Sequence, residues 1–165
     1  MQLRSFFAGY NDYSTTVVSS PATRSLQTAE TVFPGKEIVR YNQLLEIDAG
    51  SFGDKSVEQL RDIVGDFSIT NYINKRYPDG ESYRDLLIRV RNWLMPSIQE
   101  ANRDSMQVVF SHGGPIGMVL HILFHLPLER FPIFRIDTGS VTHVTICTSD
   151  TGSTAFLNFV NHTLV

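Results

Sequence analysis

Two stretches of this sequence share one design: a short apolar, β-branched or aromatic run stops at serine, and a helix signal follows at once. In the first, Val17-Val18 leads through Ser19-Ser20-Pro21 towards a helix with Arg24 in its first turn. In the second, Val108-Val109-Phe110 leads through Ser111-His112 to Gly113 and Gly114. Strands that feed directly into helices are the building blocks of layered α/β domains. Parallel neighbours in such a sheet need a helical crossover between them, so the intervening segments must supply helices.

The rest of the chain fits that frame. Leu3, Phe6, Phe7 and Tyr10 fall at i, i+3, i+4 and i+7, one face of a short helix. Thr15 to Val18 is a short strand, Ser20-Pro21 offers a cap and a first-turn proline for a helix to about Val32, and Pro34-Gly35 ends it. Glu37 to Arg40 predicts another strand, Val57 to Val64 a helix, and Thr70 to Arg76 a further turn or two. The longest helix is expected from about Glu81 to Ala101, with Tyr83, Leu86, Leu87, Val90, Leu94 and Ile98 as its apolar stripe. Gln107 to Ser111 reads as a buried strand and Pro115 to Phe124 as a helix. Val141 to Cys147 and Ala155 to Val160 read as a closing hairpin across the Ser149–Ser153 turn. The expected architecture is one α/β domain over residues 1–165, with a largely parallel central sheet, helices on both faces and an antiparallel edge.

Composition narrows the partners. With 14 Lys and Arg against 17 Asp and Glu, net charge is −3, and no basic run is present to displace counterions from a polyanion, so nucleic acid is not an expected partner. A few basic groups in one pocket still suffice for a small anion. Cys147 is the only cysteine, which excludes an intrachain disulfide and a multi-cysteine metal site. No signal-peptide pattern follows Met1, and the longest apolar stretch, Pro115 to Leu128, is interrupted by His121 and His125 and is too short for a bilayer span. A soluble, cytoplasmic protein with no membrane partner is the expectation.

Ligands of open α/β sheets bind beyond the carboxyl ends of the strands, where helix N-termini present unpaired N–H groups and positive dipole ends. Both junctions lie at such ends. Arg24 and His112, with Ser111 and with glycines at 113 and 114 that let backbone approach a ligand, make a set suited to a phosphate. Taken singly, each has a plainer reading: a histidine beside two glycines is commonly structural, and a first-turn arginine is commonly solvated. Glu46, in Leu45-Glu46-Ile47-Asp48-Ala49-Gly50, is placed to be a general acid for an ester's leaving oxygen, although spacing alone suits a loop carboxylate as well. Pro78-Asp79-Gly80-Glu81-Ser82 reads as a turn and a helix start. His121 and His125 have an i, i+4 metal spacing, but the helix around them is apolar and lacks a third ligand pattern, so no metal is expected.

In order along the chain, Ser19 to Ala29, Leu45 to Gly50, Gly80-Glu81-Ser82 ahead of a helix with Arg89-Val90, Ser111 to Gly114, and Asn158 to Asn161 together resemble the histidine phosphatase superfamily. That superfamily includes the phosphoglycerate mutases, and the Glu-Ile-Asp-Ala-Gly form resembles its phosphatase branch. The resemblance implies a three-layer, phosphoglycerate mutase-like fold without cofactor or metal, acting on a small phosphorylated substrate or a phosphoprotein. It also implies a histidine nucleophile that is phosphorylated and then hydrolysed. Arg24 and His112 would neutralise the phosphoryl oxygens, Glu46 would protonate the leaving alcohol, and Ser111 and Gly113 would shape the pocket. The specificity segment is expected between Ser51 and Pro78, where Phe52, Phe67, Tyr72 and Tyr77 mix with Lys55, Lys75 and Arg76.

One element of that resemblance is missing. The family's nucleophile follows an arginine in an Arg-His-Gly strand, whereas the five histidines here follow Ser111, Leu120, Phe124, Thr142 and Asn161. Ser19 is preceded by 18 residues, which places Leu3 to Tyr10 in the remainder of the family's first helix. Three expectations stand side by side: a chain truncated at its N-terminus, a short product without catalysis that binds phosphate ligands, or a nucleophile supplied by another chain. The family's missing strand lies beside the one ending at His112, so two open edges, poor stability and homo-oligomers or aggregates are expected. Mutase chemistry at the same residues is the remaining alternative.

Overall fold

The computed structural model describes residues 2–9, 14–53, 55, 73–102 and 104–164. In chain order they form α1 (Gln2–Ala8), β1 (Ser14–Ser19), α2 (Thr23–Val32), β2 (Ile38–Arg40), α3 (Tyr83–Gln99), β3 (Ser105–Phe110), α4 (Gly113–Leu123), β4 (Val141–Ser149) and β5 (Gly152–His162). Short 3-10 turns lie at Asn42–Leu44, Gly50–Phe52 and Leu128–Arg130.

β1 is the centre of a three-stranded parallel sheet ordered β2-β1-β3. Its register sets Ser19 opposite Arg40 on one side and Phe110 on the other. Successive strand residues face opposite sides. Val18 and Val109 therefore pack into a cluster with Leu44 and with Trp93, Leu94, Val119 and Ile122 of α3 and α4. α2 lies against β1 and β3 as well, and Phe33 at its end meets Phe110 edge-on at 6.1 Å. Phe7 of α1 stacks on Phe33 at 5.4 Å and extends that layer. Helices thus cover both faces, as the alternating pattern predicts. Val17, Val18, Leu86, Val90 and Met118 are all exposed by 1% or less. Each such side chain contributes about 1.5–3 kcal/mol of transfer free energy.

The expected stripe on α3 is the buried one. Tyr83, Leu86, Leu87 and Val90 join Met118 and Phe131, while Leu94 and Ile98 join the Val18 cluster. Ser82 caps the helix. Its hydroxyl accepts the Asp85 N–H, and the Asp85 carboxylate accepts the Ser82 N–H at 2.9 Å, a reciprocal capping box.

Several expectations shift. α2 begins at Thr23 with Ala22 as its cap, because the Ser20 hydroxyl is committed elsewhere and Pro21-Ala22 remain outside the helix. α4 begins at Gly113, so Pro115 sits inside its first turn, where a missing N–H costs nothing. The hairpin is longer than expected and turns at Asp150-Thr151. It forms its own two-stranded ladder and is not an antiparallel edge of the parallel sheet. Of the turn or two expected over Thr70 to Arg76, Ile73-Asn74 form a turn and 75–76 belong to no regular element, while 70–72 lie outside the described residues. The Val57–Val64 helix, Tyr10, Phe67 and Tyr72 lie outside the described residues. Among the described residues, no helix is long and apolar enough to cross a membrane.

Candidate active site

The in-register pairing of β1 and β3 brings the two junctions together, 88 residues apart in sequence. The Ser20 N–H donates to the Phe110 carbonyl at 2.9 Å, continuing the ladder one residue past β1. His112 then caps α4 directly beside Ser20. Arg24, on the first turn of α2, reaches back across the same gap.

Arg24 donates from Nε (3.2 Å) and Nη2 (2.9 Å) to His112 Nδ1. A guanidinium only donates, so Nδ1 is the bare nitrogen of the ring. The proton of the neutral imidazole must then sit on Nε2, which lies 2.8 Å from Ser20 Oγ and donates to it. Ser20 is fully buried and His112 nearly so. Burial, and then the nearby Arg24 guanidinium, hold the His112 pKa below its ordinary value; Glu46 pulls it upward, and Arg89 lowers it further. Desolvation and adjacent positive charge both disfavour imidazolium. His112 is thus a neutral ring with a defined tautomer beside a cation.

Glu46 arrives from the third strand end. After β2, the Tyr41 N–H bonds the Ser19 carbonyl at 3.0 Å and the chain turns through Asn42–Leu44. The Glu46 carboxylate accepts the Ile47 N–H at 2.9 Å and the Gly114 N–H at 3.3 Å. Gly114 is small for that reason: a Cβ there would overlap the Glu46 carboxylate. At Gly113 a Cβ would meet only the Ile136 carbonyl, in ordinary contact. The glycine pair thus does more than clear a path for a ligand, because its second member makes room for the acid.

Ser111 lies beside this cluster, but its hydroxyl donates to the Leu44 carbonyl at 2.7 Å. It ties the end of β3 to the Glu46 loop. His121 sits between the rings of Phe131 (5.1 Å) and Phe134 (6.3 Å), and among the described residues neither ring nitrogen has a hydrogen bond of good geometry. His125 lies past the end of α4 at φ 51°, so the two do not share a helical face. Among the described residues, no three His, Cys, Asp or Glu side chains gather to hold a metal ion. His143 packs on Phe159 at 5.5 Å, and His162 on Phe159 at 5.4 Å.

Two residues that pattern reading left without a role lie under Glu46. Arg89 forks onto Glu81 from Nε (2.7 Å) and Nη2 (2.9 Å), and bonds the carbonyls of Gln43 (2.7 Å) and Glu46 (3.0 Å). Ser20 is a third such residue, at His112, hidden because Ser-Pro before a helix looks like a cap.

A neutral, oriented histidine, an arginine and a carboxyl group converge where two helices begin. The sequence profile of the histidine phosphatase superfamily (branch 1) matches residues 1–158, and the chain belongs to that superfamily. It is similar to 6-phosphofructo-2-kinase/fructose-2,6-bisphosphatase of Caenorhabditis elegans, at 30% identity over 129 residues, 76% of this chain and 27% of that protein. It is also similar to the human 6-phosphofructo-2-kinase/fructose-2,6-bisphosphatase 4, at 29% over 146 residues, 87% of this chain and 30% of that protein. The chain therefore spans under a third of the length of these relatives. Among solved structures, the mycobacterial glucosyl-3-phosphoglycerate phosphatase superposes with a TM-score of 0.83 at 19% identity, over 98% of this chain and 83% of that one. YhfR of Bacillus stearothermophilus gives 0.77 at 20%, over 99% and 80%. At such identities the likeness is one of fold, and it is the phosphoglycerate mutase-like fold expected above.

Proposed function

We propose that the Arg24–His112 pair binds the phosphoryl group of a phosphomonoester, in a site built for its hydrolysis with Glu46 as the acid. The observation that carries this reading is the Arg24–His112–Ser20 chain of hydrogen bonds, which sets a neutral imidazole beside a guanidinium. A phosphate dianion arriving there takes the Arg24 donors. The ring, released at Nδ1, takes up a proton from solvent and becomes a second positive partner for the anion, the arrangement that stabilises charge on a transferring phosphoryl group. Glu46, held against the first turn of α4, delivers its proton to the leaving alkoxide as an attacking nucleophile, supplied from outside these groups, bonds phosphorus and the P–O bond to the alkoxide breaks.

Both nitrogens of His112 are engaged, so it is not poised as a nucleophile. The other four histidines lie on the hairpin, beyond α4 or between Phe131 and Phe134. In this reading residues 1–165 supply the stabilising groups and the acid, and a phosphohistidine route needs a nucleophile that these five histidines do not offer. The chain alone therefore acts as a phosphate-ligand binder.

Calorimetric titration with inorganic phosphate or vanadate, paired with p-nitrophenyl phosphate hydrolysis, tests this directly. We expect saturable binding, weakened at least tenfold by Arg24→Ala, and no turnover by the chain alone. Turnover by the chain alone, or binding that Arg24→Ala leaves unchanged, would sink it. Isomerisation of an added phosphoglycerate in place of phosphate release would point to the mutase alternative.

A further inference from the structure

The Glu46 loop is anchored ahead of the acid by Leu44, buried in the core and held by the Ser111 hydroxyl. Glu46 follows a three-residue strand and a single 3-10 turn, and among the described residues its carboxylate is hydrogen-bonded by the backbone N–H groups of Ile47 and Gly114. Its position is set from below. Arg89, on the second turn of α3, bonds the carbonyl of Gln43 three residues before Glu46 and the carbonyl of Glu46 itself. Its bidentate partner Glu81 accepts the Asp48 N–H at 3.1 Å, two residues after Glu46, and the Glu81 N–H donates to the Asp48 carbonyl at 2.8 Å. The turn before α3 is pressed against the same loop. A Cβ on Gly80 would overlap the Asp48 carbonyl, and one on Gly50 the Pro78 carbonyl.

The ion pair is well placed to act this way. Its side chains are only 19% and 23% exposed, and all three guanidinium nitrogens are used. A forked, partly buried pair of this kind holds geometry in a way an exposed pair does not. Four donor bonds in one plane are beyond a lysine, whose ammonium is a point charge on a flexible stem.

We infer that Arg89 and Glu81 are positioning residues for Glu46: the pair grips the loop on both sides of the acid and sets its carboxylate against the Gly114 N–H. Apart from the positive charge it adds near His112, Arg89 acts through Glu46, whose carbonyl it bonds. The inference deepens the proposed function and rests on Glu46 being the acid.

The test reads where the carboxylate sits, without requiring turnover. The Gly114 amide proton, hydrogen-bonded to Glu46, shifts as Glu46 is protonated in a pH titration by NMR, and Glu46→Gln removes that shift. Arg89→Lys keeps the positive charge but not the fork, and Glu81→Gln keeps the shape but not the ion pair. Each is expected to abolish most of the Gly114 titration while amides of Leu86 and Val90 keep their wild-type positions. A wild-type Gly114 titration in both folded variants overturns the inference. Loss of fold in both also overturns it, by assigning the pair to the stability of the domain. Failure of the acid reading is separate: in a turning-over form, Glu46→Gln would then slow nitrophenyl and alkyl phosphates equally, whatever Gly114 does.

Discussion

Ser20→Ala isolates one hydrogen bond in the heart of the site. The Ser20 backbone N–H bonds Phe110 and its carbonyl accepts the Ser19 hydroxyl, so neither is touched by removing Oγ. What is lost is the acceptor for His112 Nε2–H at 2.8 Å. A typical net hydrogen bond contributes about 0.5–1.5 kcal/mol, but a buried donor left without an acceptor costs about 1–3 kcal/mol. Ser20 is 0% exposed and His112 8%, so bulk water cannot substitute and the larger figure applies. Nor can the ring escape by moving its proton to Nδ1, because Arg24 donates there. Urea unfolding at pH 7.5 should therefore show Ser20→Ala destabilised by about 1–3 kcal/mol. A double-mutant cycle with His112→Ala should return a coupling of similar size, since each single change orphans the other partner. A Ser20→Ala protein within about 0.5 kcal/mol of wild type, or additivity with His112→Ala, would refute the tautomer derived from the geometry.

Two further outcomes follow from groups outside the phosphoryl site. His121 is 2% exposed and, among the described residues, neither ring nitrogen has a hydrogen bond of good geometry, so His121→Leu is expected to stabilise the fold by about 1–3 kcal/mol in urea unfolding. Burial holds the His121 pKa below its ordinary 6.5, so the unfolded chain takes up its proton first as pH falls. Stability present above about 6.5 is then lost down through the depressed folded value, and the gain from His121→Leu should be larger at pH 5.5 than at 7.5; an equal or reversed gain would count against this. At the start of α3, Ser82→Ala should cost about 1 kcal/mol in a thermal melt at neutral pH. The Ser82 bonds, with Arg76, bring the Asp85 pKa to about 2, so part of that difference should vanish as pH falls from about 4 towards 2.

The parts of the molecule that declare themselves in sequence are those set by local pattern. The apolar stripe from Tyr83 to Ile98 and the runs at Val17-Val18 and Val108-Val109 each contain their own periodicity, and each became the element it suggested. Long-range pairing carries no such signal. Ser19 opposite Phe110 is what turns two similar junctions into one site, and no spacing rule predicts that register. Ser20 was misread because Ser-Pro is a sound local signal for a cap, overridden here by a buried histidine 92 residues away. Glu81 and Arg89 lie eight residues apart across a helix cap, outside the i, i+4 spacing that marks ion pairs on a helix. The closing hairpin was legible as two strands, yet alternation says which face of a strand is buried and not which sheet it joins.

The account turns on His112 being a neutral, Nε2-protonated ring that shares an anion with Arg24. Nitrogen-15 NMR of the histidine side chains at pH 7.5, with stepwise addition of inorganic phosphate, observes that ring directly. The prediction is one imidazole with a proton on Nε2 and none on Nδ1, moving saturably towards imidazolium as phosphate binds, with the movement lost in Arg24→Ala. An imidazolium before any phosphate is added, or a His112 ring indifferent to phosphate, would contradict it.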